Sequence, residues 1–297
     1  MIQRIVISVL IGTTSALAST INVPGDHTSI QAAADASSNG DVILVAPGTY
    51  AGFSFGDKTV TIRASGSAEE TIVNGNGQCG VITIWGNDGD DVVTLEGLTV
   101  TGGRCDGGDD FGFAAGLSCF GSRLNLIDCI VSDNTSEGSW GGGGLQLGST
   151  YGWNIVISGC TFADNSGYQG GGINISDSHP TITNCIFTGN TATTGGDIYV
   201  YYNNSNASVS NSTFCGNGSD AIIGPYSGSG NTFLDECAPD PPGCTGDVDG
   251  SDAVDVDDIS TLISHWDTTD ATSDLNEDGL VGVPDLLMML AAWGACS

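Results

Sequence analysis

The sequence predicts an all-β fold, a parallel β-helix solenoid with a short N-terminal capping helix, followed by a small α-helical domain. Three observations predict it. A phrase ending in asparagine recurs at residues 134, 165, 190 and 217, at spacings of 31, 25 and 27 residues. Apolar residues alternate within each copy without helical periodicity, which is typical of stacked strands. Residues 244–297 carry a different, acidic repeat.

The charge excludes two classes of partner. The chain has 35 acidic and 5 basic residues, a formal net charge of −30. Proteins that bind nucleic acid or anionic membrane surfaces gain affinity from clustered Lys and Arg. We therefore expect neither among the partners. With 46 glycines and 39% hydrophobic residues, the chain is rich in turns and globular, not a disordered acidic polymer.

Residues 1–18 have the pattern of a secretory signal peptide. Arg4 supplies a positive charge, residues 5–11 are mostly apolar, and Ala16-Leu17-Ala18 fits a small-x-small cleavage site. The apolar run is shorter than the roughly 20 residues that span a bilayer. We expect a secreted protein, extracellular or at the cell surface, with no membrane span after signal removal. The 10 cysteines agree with an oxidising compartment.

The first element of the mature chain is predicted to be a short helix over residues 30–36. Thr28 and Gln31 have the spacing of a capping box, and Gly40 is a suitable residue to close the helix. A strand over residues 41–45 and a turn at Pro47-Gly48 follow. Such a helix would cover the open end of the first coil.

Two phrases that recur once per turn predict the coils. The first occupies residues 127–134, 158–165, 183–190 and 210–217, with an earlier copy at 98–103. The second is an apolar pair two residues apart, and its copies start at Leu117, Leu145, Ile173 and Ile198. One coil cannot bury its own apolar stripe, but coils stacked about 4.8 Å apart bury it together.

The first phrase also predicts two columns of side chains. Asparagine is expected at a corner because it tolerates left-handed backbone geometry and its amide bonds the asparagines above and below. Cys129, Cys160 and Cys185 occupy one equivalent position and are expected to face inward. Glycine runs such as residues 141–144 would allow the tight bends between strands.

Residues 30–33 (Ile-Gln-Ala-Ala), 40–42 (Gly-Asp-Val) and 46–50 (Ala-Pro-Gly-Thr-Tyr) resemble the opening of right-handed β-helix proteins of the pectin lyase-like superfamily. The Phe-x-x-Asn and Gly-Gly-Ile phrases are similar to the polymorphic outer-membrane protein repeats of bacterial surface adhesins. The resemblance covers residues 20–235 and implies a right-handed solenoid. Because one fold hosts many activities, it implies the fold more strongly than the function.

A change of composition separates two domains. Three prolines interrupt all periodicity within residues 238–243 and mark a stiff linker. We expect a β-helix domain over residues 19–237 and a second domain over residues 244–297. The second domain has twelve acidic residues and no basic one. The whole chain is expected to be monomeric.

The second domain repeats itself with an offset of 27 residues, so that residues 247–258 align with 274–285 and Trp266 with Trp293. Each loop has oxygen-bearing side chains at positions 1, 3, 5 and 12 and a carbonyl at 7, the donor set of a Ca²⁺ ion. We therefore expect calcium as the cofactor, at two sites. Single helices are predicted over residues 259–266 and 286–293, with Pro284 in a first turn.

One loop and one helix in duplicate resemble the type I dockerin family over residues 246–293, which implies a cohesin-like protein partner. The resemblance assigns the first calcium site to Asp247, Asp249, Ser251, the Ala253 carbonyl, Asp255 and Asp258. It assigns the second site to Asp274, Asn276, Asp278, the Leu280 carbonyl and Asp285.

Two departures from the dockerin pattern have consequences. Ser251 at position 5 and Asp252 in place of a turn glycine predict weaker calcium binding in the first loop. The partner-contacting positions 10 and 11, usually Ser/Thr-like pairs, are Val256-Asp257 and Val283-Pro284, which puts a standard cohesin in question. Because the duplicated unit brings its ends together, a disulfide between Cys244 and Cys296 is also expected.

Enzymes of the resembled superfamily act in a groove along one sheet with carboxylates, Ca²⁺ or an arginine base. The sequence has neither the Asn-Thr-Asp, Gly-His-Gly and Arg-x-Lys signatures of polygalacturonases nor the Trp-x-Asp-His of pectate lyases. The best remaining catalytic candidates share one loop: Arg104, Asp106, Asp109 and Asp110. They would serve acid–base or cation chemistry on a sugar, or they form an acidic turn with a local ion pair. The three histidines are interpreted as surface residues.

Two functions follow from these observations. The chain is a non-catalytic surface, adhesion or carbohydrate-binding protein attached through a calcium-dependent module, or it is a polysaccharide lyase or glycoside hydrolase carried by that module. The dockerin resemblance favours carbohydrate metabolism, whereas 23 acidic against four basic residues in 19–243 oppose binding of anionic pectin. We favour the first. Several aromatic residues are candidates for sugar stacking: Trp85, Trp140, Trp153, Tyr168, Tyr199, Tyr201 and Tyr202.

Overall fold

The structure is a computed structural model of the chain. It describes residues 18–86, 91–106, 113–137, 141–150, 154–201, 204–234, 246, 248, 253–254, 256–269, 272–276, 278–291 and 293–295. The predicted linker and, apart from Ala18, the predicted signal peptide lie outside these residues. The chain divides into two compact units, Met1–Cys237 and Ala238–Ser297.

The first unit is a parallel β-helix whose chain passes repeatedly through three long sheets, named A, B and C, and a short fourth sheet, D. Sheet A contains β1 (Thr20–Val23), β2 (Val42–Val45), β5 (Val60–Ala64), β8 (Val92–Glu96), β12 (Arg123–Ile127), β16 (Val156–Ser158), β20 (Thr181–Thr183), β24 (Ala207–Ser210) and β27 (Tyr226–Ser227). Sheet B contains β3 (Gly48–Ala51), β6 (Thr71–Asn74), β9 (Thr99–Thr101), β13 (Ile130–Ser132), β17 (Thr161–Ala163), β21 (Ile186–Thr188), β25 (Thr213–Cys215) and β28 (Thr232–Leu234).

Sheets C and D complete the coil, and each strand of sheet D follows a strand of sheet B and precedes a strand of sheet C in the chain. Sheet C contains β4 (Phe53–Gly56), β7 (Ile82–Trp85), β11 (Leu117–Phe120), β15 (Leu145–Gly148), β19 (Ile173–Ser176), β23 (Ile198–Val200) and β26 (Ile222–Ile223). Sheet D contains β10 (Arg104–Cys105), β14 (Thr135–Ser136), β18 (Ser166–Gln169) and β22 (Thr191–Thr194). A 3₁₀ turn, Gly218–Asp220, follows β25. The parallel solenoid predicted from the repeats is confirmed.

The register between coils follows the predicted phrases. Leu117 pairs with Leu145, Leu145 with Ile173, and Ile173 with Ile198. Alternate residues point inward, so that the buried side chains of all coils form one continuous core. The apolar spacing within each phrase therefore decides which side of every strand is buried.

A column of phenylalanines runs through this core. The ring centroids of Phe162 and Phe187 are 5.0 Å apart, and those of Phe187 and Phe214 are 4.7 Å apart, with nearly parallel planes. Phe233 extends the stack by another 5.0 Å. Because one aromatic position repeats once per coil, the stack fixes the axial alignment of four coils.

The corner after sheet B is turned by the residue that precedes each ladder asparagine. Asp133 (φ 56°) precedes Asn134, and Asp164 (φ 53°) precedes Asn165. The expectation that asparagine itself takes the left-handed conformation is therefore wrong. The preceding residue turns the chain, and the asparagine side chain then points into the coil, where it is buried.

The asparagine side chains form the ladder expected from the sequence. Asn134 Nδ2 donates to Asn165 Oδ1 at 3.0 Å, and Asn165 Nδ2 donates to Asn190 Oδ1 at 3.0 Å. Asn165 Nδ2 also donates to the Val131 carbonyl at 2.7 Å. These buried amides are satisfied only when the coils are in register, so the ladder opposes slippage between them.

A buried carboxylate ends the ladder. Asn190 Nδ2 donates to Asp197 Oδ1 at 2.9 Å. Asp197 is fully buried, and its Oδ2 has no hydrogen-bond partner in the described part of the chain. Burial raises the pKa of Asp197 to about 6, although the Asn190 and Asn217 side chains favour the ionised form.

The capping helix α1 spans Ile30–Ala36, as predicted. Its N-cap is Ser29, whose Oγ accepts a hydrogen bond from the third helical N–H at 3.2 Å. The predicted capping box of Thr28 and Gln31 is therefore wrong by one position. Gln31 is instead directed to the solenoid, where its Oε1 accepts from Ser54 N at 2.8 Å.

The C-terminal end of α1 also differs from the prediction. Ser37 ends the helix, and its Oγ–H donates to the Ala34 carbonyl at 2.7 Å. Lys58 Nζ donates to the same carbonyl at 3.0 Å. These donors satisfy the last turn before Gly40 is reached, so Gly40 (φ 92°) only redirects the chain towards β2.

The cysteines take two roles. A disulfide joins Cys79 to Cys105, with Cα atoms 4.5 Å apart. Cys215 is disulfide-bonded as well. Four buried cysteines are free thiols: Cys119, Cys129, Cys160 and Cys185. The last three form the inward column expected from the repeat. Cys244 and Cys296, the expected pair of the second unit, lie outside the described residues.

The described residues of the second unit form the helices α2 (Val256–Ser264) and α3 (Val283–Ala291) and an antiparallel pair, β29 (Ala253–Val254) with β30 (Gly294–Ala295). Each helix begins three residues earlier than predicted and ends before its predicted tryptophan. After α2 the backbone hydrogen bonds join residues three positions apart, as between His265 N and Leu262 O at 3.1 Å. Asp267 (φ 59°) then turns the chain out of the helical direction.

A small apolar cluster holds the second unit together. Its fully buried members are Val254, Leu262, Val281 and Met289. Across the described residues of both units, no helix is long and apolar enough to cross a membrane.

Candidate functional site

The structure describes two of the four predicted catalytic candidates, Arg104 in β10 of sheet D and Asp106 directly after it. Arg104 Nε lies 3.1 Å from Asp106 Oδ1, and its Nη2 contacts Glu137 Oε1. Asp109 and Asp110 lie outside the described residues. All three charged side chains are about half exposed or more, so this is a solvated ion-pair group of little net stabilisation.

Glu137 is a member of this group that the sequence reasoning did not find. β10 and β14 pair Cys105 with Ser136, which places Glu137 one coil above Asp106. The offset of 31 residues between the two equals the spacing of Asn134 and Asn165, one coil further along the solenoid. Applying the repeat spacing to loop residues would have found it.

A cluster of three aromatic rings forms on the outer face of sheet C. Trp85 stacks on Phe120, with centroids 5.1 Å apart and planes at 23°. Phe113 packs its edge against both rings, at 5.3 and 5.5 Å. Trp85 nevertheless remains 47% exposed. The two phenylalanine rings therefore fix the orientation of the Trp85 indole, and much of its surface is exposed to solvent.

The repeat explains why these rings meet. Trp85 pairs with Phe120 in the register of β7 and β11, and both side chains point outward. Gly148 follows in the next coil, where a Cβ would lie only 2.5 Å from the Phe120 ring. The glycine therefore leaves room for the cluster. Trp85 is one of the predicted stacking residues, whereas its two phenylalanine supports were not predicted.

A polar pocket of about 230 Å³ opens on the same face, beside the first strands of sheet C. Gln31 of α1, Ser54 of β4, Thr83 of β7 and Gln78 from the loop after β6 contribute side chains to it. Thr83 and Trp85 are two residues apart and point to the same face. The pocket and the aromatic cluster are therefore neighbours on one surface.

The second predicted calcium loop is gathered by its own hydrogen bonds. Asp274 Oδ1 accepts from Asp278 N at 3.1 Å, and its Oδ2 accepts from Gly279 N at 2.8 Å. Asp285 Oδ1 accepts from Asn276 N at 3.1 Å, so the two ends of the loop are joined. The side chains of this loop offer oxygen donors, which suit a hard cation such as Ca²⁺.

Asp285 is fully buried at the foot of this loop. Burial raises its pKa, but backbone N–H donors, among them those of Gly282 and Asn276, outweigh burial and hold the pKa of Asp285 below its usual range. Three or more His, Cys, Asp or Glu side chains do not converge on one metal position anywhere in the described residues. Asp274, Asp278 and Asp285, the three carboxylates of the predicted second site, are among the side chains that do not converge.

Most of the first predicted loop, including Asp247, Asp249, Ser251 and Asp255, lies outside the described residues. Asp258 is described and is fully buried like its counterpart Asp285. Its Oδ1 accepts from Val248 N at 2.8 Å. The last acidic residue of each loop thus closes its loop in the same way.

Comparison with known proteins identifies the fold. The family described as the right handed beta helix region matches residues 52–238, more than half of the chain. No curated protein matches the chain. Among solved structures, it is similar to an alginate lyase of the PL6 family, with 16% identity, a TM-score of 0.44, and coverage of 73% of this chain and 39% of the lyase.

Two pectin methylesterases are also similar. The enzyme from Aspergillus niger has 13% identity and a TM-score of 0.40, covering 77% of this chain and 89% of the enzyme. PemA from Erwinia chrysanthemi has 13% identity and a TM-score of 0.34, covering 71% and 81%. The chain spans about two fifths of the length of the alginate lyase. At these identities and TM-scores the likeness says nothing about activity.

Proposed function

The chain belongs to the right-handed β-helix family, and we propose that it is a secreted, non-catalytic protein that binds polysaccharide on the outer face of sheet C. A solenoid of this family is a scaffold for many functions, so the side chains on its surface must carry the argument. The proposal rests on one observation, the exposed Trp85 ring supported by Phe120 and Phe113.

A supported aromatic ring suits a sugar. The C–H face of a pyranose packs on an indole plane, while the sugar hydroxyls bond to nearby polar groups or water. Trp85 is held by two rings before any ligand arrives, so little side-chain entropy is lost on binding. An exposed tryptophan without supporting rings would lose more side-chain entropy on binding.

The charge of the protein selects among polysaccharides. The net charge of −30 repels polyanions such as polyuronates. The side chains that line the neighbouring pocket are uncharged. A neutral polysaccharide is therefore the better ligand.

Affinity electrophoresis in gels containing neutral or acidic polysaccharides tests the proposal. Wild-type protein should be retarded by at least one neutral polymer, and Trp85→Ala should lose the retardation. Trp293→Ala removes another exposed tryptophan, in the second unit, and should behave as wild type. Equal retardation of all three proteins would refute the role of Trp85.

A polysaccharide-degrading enzyme is the second candidate, and the observation in its favour is the meeting of Arg104 with Asp106 and Glu137. An arginine beside carboxylates is able to assist acid–base chemistry on a sugar. Release of unsaturated products or reducing ends by wild-type protein, lost in Asp109→Asn/Asp110→Asn or in Glu137→Gln, would replace the non-catalytic proposal.

We further propose that the second unit is a calcium-dependent attachment module for a cohesin-like or cell-surface protein. Its exposed helix residues support a protein partner: Val256 is 66% exposed and Val283 58%, and these residues are equivalent in the two repeats. Ile263 and Leu290, also equivalent, are 55% and 45% exposed. Apolar side chains that remain exposed at matching positions mark an interaction surface.

A further inference from the structure

The pocket on sheet C has uncommitted hydrogen-bonding groups. Within the described residues, the side chains of Ser54, Gln78 and Thr83 have no hydrogen-bond partner, and all three line the pocket. Together they present two hydroxyls and one amide, which offer both donors and acceptors. Such a set matches a ligand with several hydroxyl groups.

The walls of the pocket are held in place from both sides. Gln31 makes two hydrogen bonds with the Ser54 backbone, one to the carbonyl at 3.1 Å and one from the N–H at 2.8 Å, and so ties α1 to β4. The disulfide of Cys79 with Cys105 anchors the loop that carries Gln78. The backbone that carries the exposed Ser54 and Gln78 side chains is therefore held in place before a ligand binds, which favours binding.

The position of the pocket is at an end of the sheet. β4 is the last strand of sheet C on the N-terminal side, and α1 packs beyond it. Thr83 pairs with Ser54 and Trp85 with Gly56, so a sugar chain that passes over Trp85 reaches the pocket by crossing the strands obliquely. It would meet Gln31 of α1 there. The pocket volume of about 230 Å³ is smaller than the roughly 300–1,000 Å³ of pockets for drug-sized ligands. It suits one sugar ring.

We propose that this pocket binds the terminal residue of a neutral polysaccharide chain, with the adjoining residue stacked on Trp85. The inference rests on the proposed binding of a neutral polysaccharide and adds to it the recognition of a chain end. The hydroxyls of the terminal sugar bond to Gln78, Thr83 and Ser54, and the lack of a lining cation leaves no partner for a carboxylate.

Isothermal titration calorimetry of the full-length protein tests this inference. The probes are neutral hexasaccharides of glucose, xylose, mannose and galactose, their long polymers, and hexagalacturonate. A bound hexasaccharide and its polymer should saturate the protein at the same concentration of chain ends. The double variant Gln78→Ala/Thr83→Val should bind about tenfold more weakly, about 1.4 kcal/mol. Thr61→Val, the same change on the outer face of sheet A, should bind as wild type.

The outcomes separate the inference from the proposed function. If Trp85→Ala loses binding while the pocket double variant keeps it, the protein binds glycan elsewhere on the sheet and the chain-end inference is wrong. Saturation at equal concentrations of sugar residues, or tighter binding of hexagalacturonate, also overturns it. If wild-type protein binds none of the probes, both the inference and the proposed function fail.

Discussion

The side-chain amide of Asn190 donates a hydrogen bond to the buried carboxylate of Asp197, 2.9 Å away, at the point where the asparagine ladder ends. In the preceding coils, the next asparagine accepts this bond. The ladder therefore passes from neutral amides to a titratable group inside the solenoid. We therefore expect the ionisation of Asp197 to make the stability of the solenoid depend on pH.

The variant Asp197→Asn should be more stable than wild type at pH 8. The pKa of Asp197 is about 6 in the folded chain against 3.8 as its ordinary value, so ionisation opposes folding as the pH rises through this interval. Up to about 3 kcal/mol of unfolding free energy is lost between roughly pH 4 and pH 7, at 1.36 kcal/mol per pKa unit. Urea unfolding should show that gain in the variant at pH 8 and almost none at pH 3.5. Exposed Asp220→Asn serves as control, and an equal effect there would contradict the assignment.

Removing a ladder amide should be costly. Asn165→Ala removes the donor to the Val131 carbonyl at 2.7 Å and the acceptor of the Asn134 N–H at 3.2 Å, whereas Asn190 Oδ1 still accepts from the N–H of residue 165. Two buried backbone groups that lose these partners predict a loss of about 2–4 kcal/mol in the free energy of unfolding. Asn125→Ala is the control because its partly buried amide makes one bond, to Thr94 at 3.2 Å. Similar losses in both variants would show that the ladder is not specially stabilising.

The free thiols should be inert in the folded protein. Burial raises the pKa of Cys119 to about 12, and Cys129, Cys160 and Cys185 are equally shielded from solvent. Reaction requires an exposed thiolate, so a thiol reagent at pH 8 should label these four residues only after unfolding. Peptide mapping of labelled native and denatured protein gives the answer. Rapid native labelling of any of the four would mean that the coil opens locally.

The sequence was sufficient to predict the coils because one apolar phrase and one asparagine recur at nearly constant spacing. Stacked strands convert such spacing directly into register, as the pairing of Leu145 with Ile173 illustrates. The capping helix was predicted to the residue for a similar local reason. The cap residues Ser29 and Ser37 were not predicted, because Thr28 and Gly40, one and three positions away, are equally suitable cap residues by sequence.

The surface groups were harder to predict because they depend on residues from different coils. Glu137 reaches Arg104 only through the stacking of β10 and β14. Phe120 supports Trp85 from the next coil, at an offset of 35 residues that exceeds the spacings of 25 to 31 between the asparagines. Asp197 occupies the coil position of Gly144 and Gly172. Because aspartate is polar, the sequence did not predict that this residue is buried. In each case the repeat spacing shows which residues of neighbouring coils meet, but only after the strands of those coils have been aligned.

The second unit should require Ca²⁺ for its stability. Twelve acidic residues and no basic one lie in residues 244–297, and their repulsion opposes packing of α2 against α3 unless a cation offsets it. Calorimetry of the full-length protein should therefore show a separate transition that rises with added Ca²⁺ and falls in chelator, while the solenoid transition stays fixed. Mg²⁺ should substitute poorly because it prefers small octahedral sites with retained water.

Variants locate the stronger site. Asp274→Ala removes the side chain that accepts from both Asp278 N and Gly279 N, so it should abolish most of the Ca²⁺-dependent shift. Asp285→Ala should do the same because its buried carboxylate joins the two ends of the loop. Asp247→Ala should have the smaller effect, since the first loop has Ser251 and Asp252 where the second has Asp278 and Gly279. A transition that ignores Ca²⁺ in wild-type protein, or a larger effect of Asp247→Ala, would contradict the predicted calcium sites.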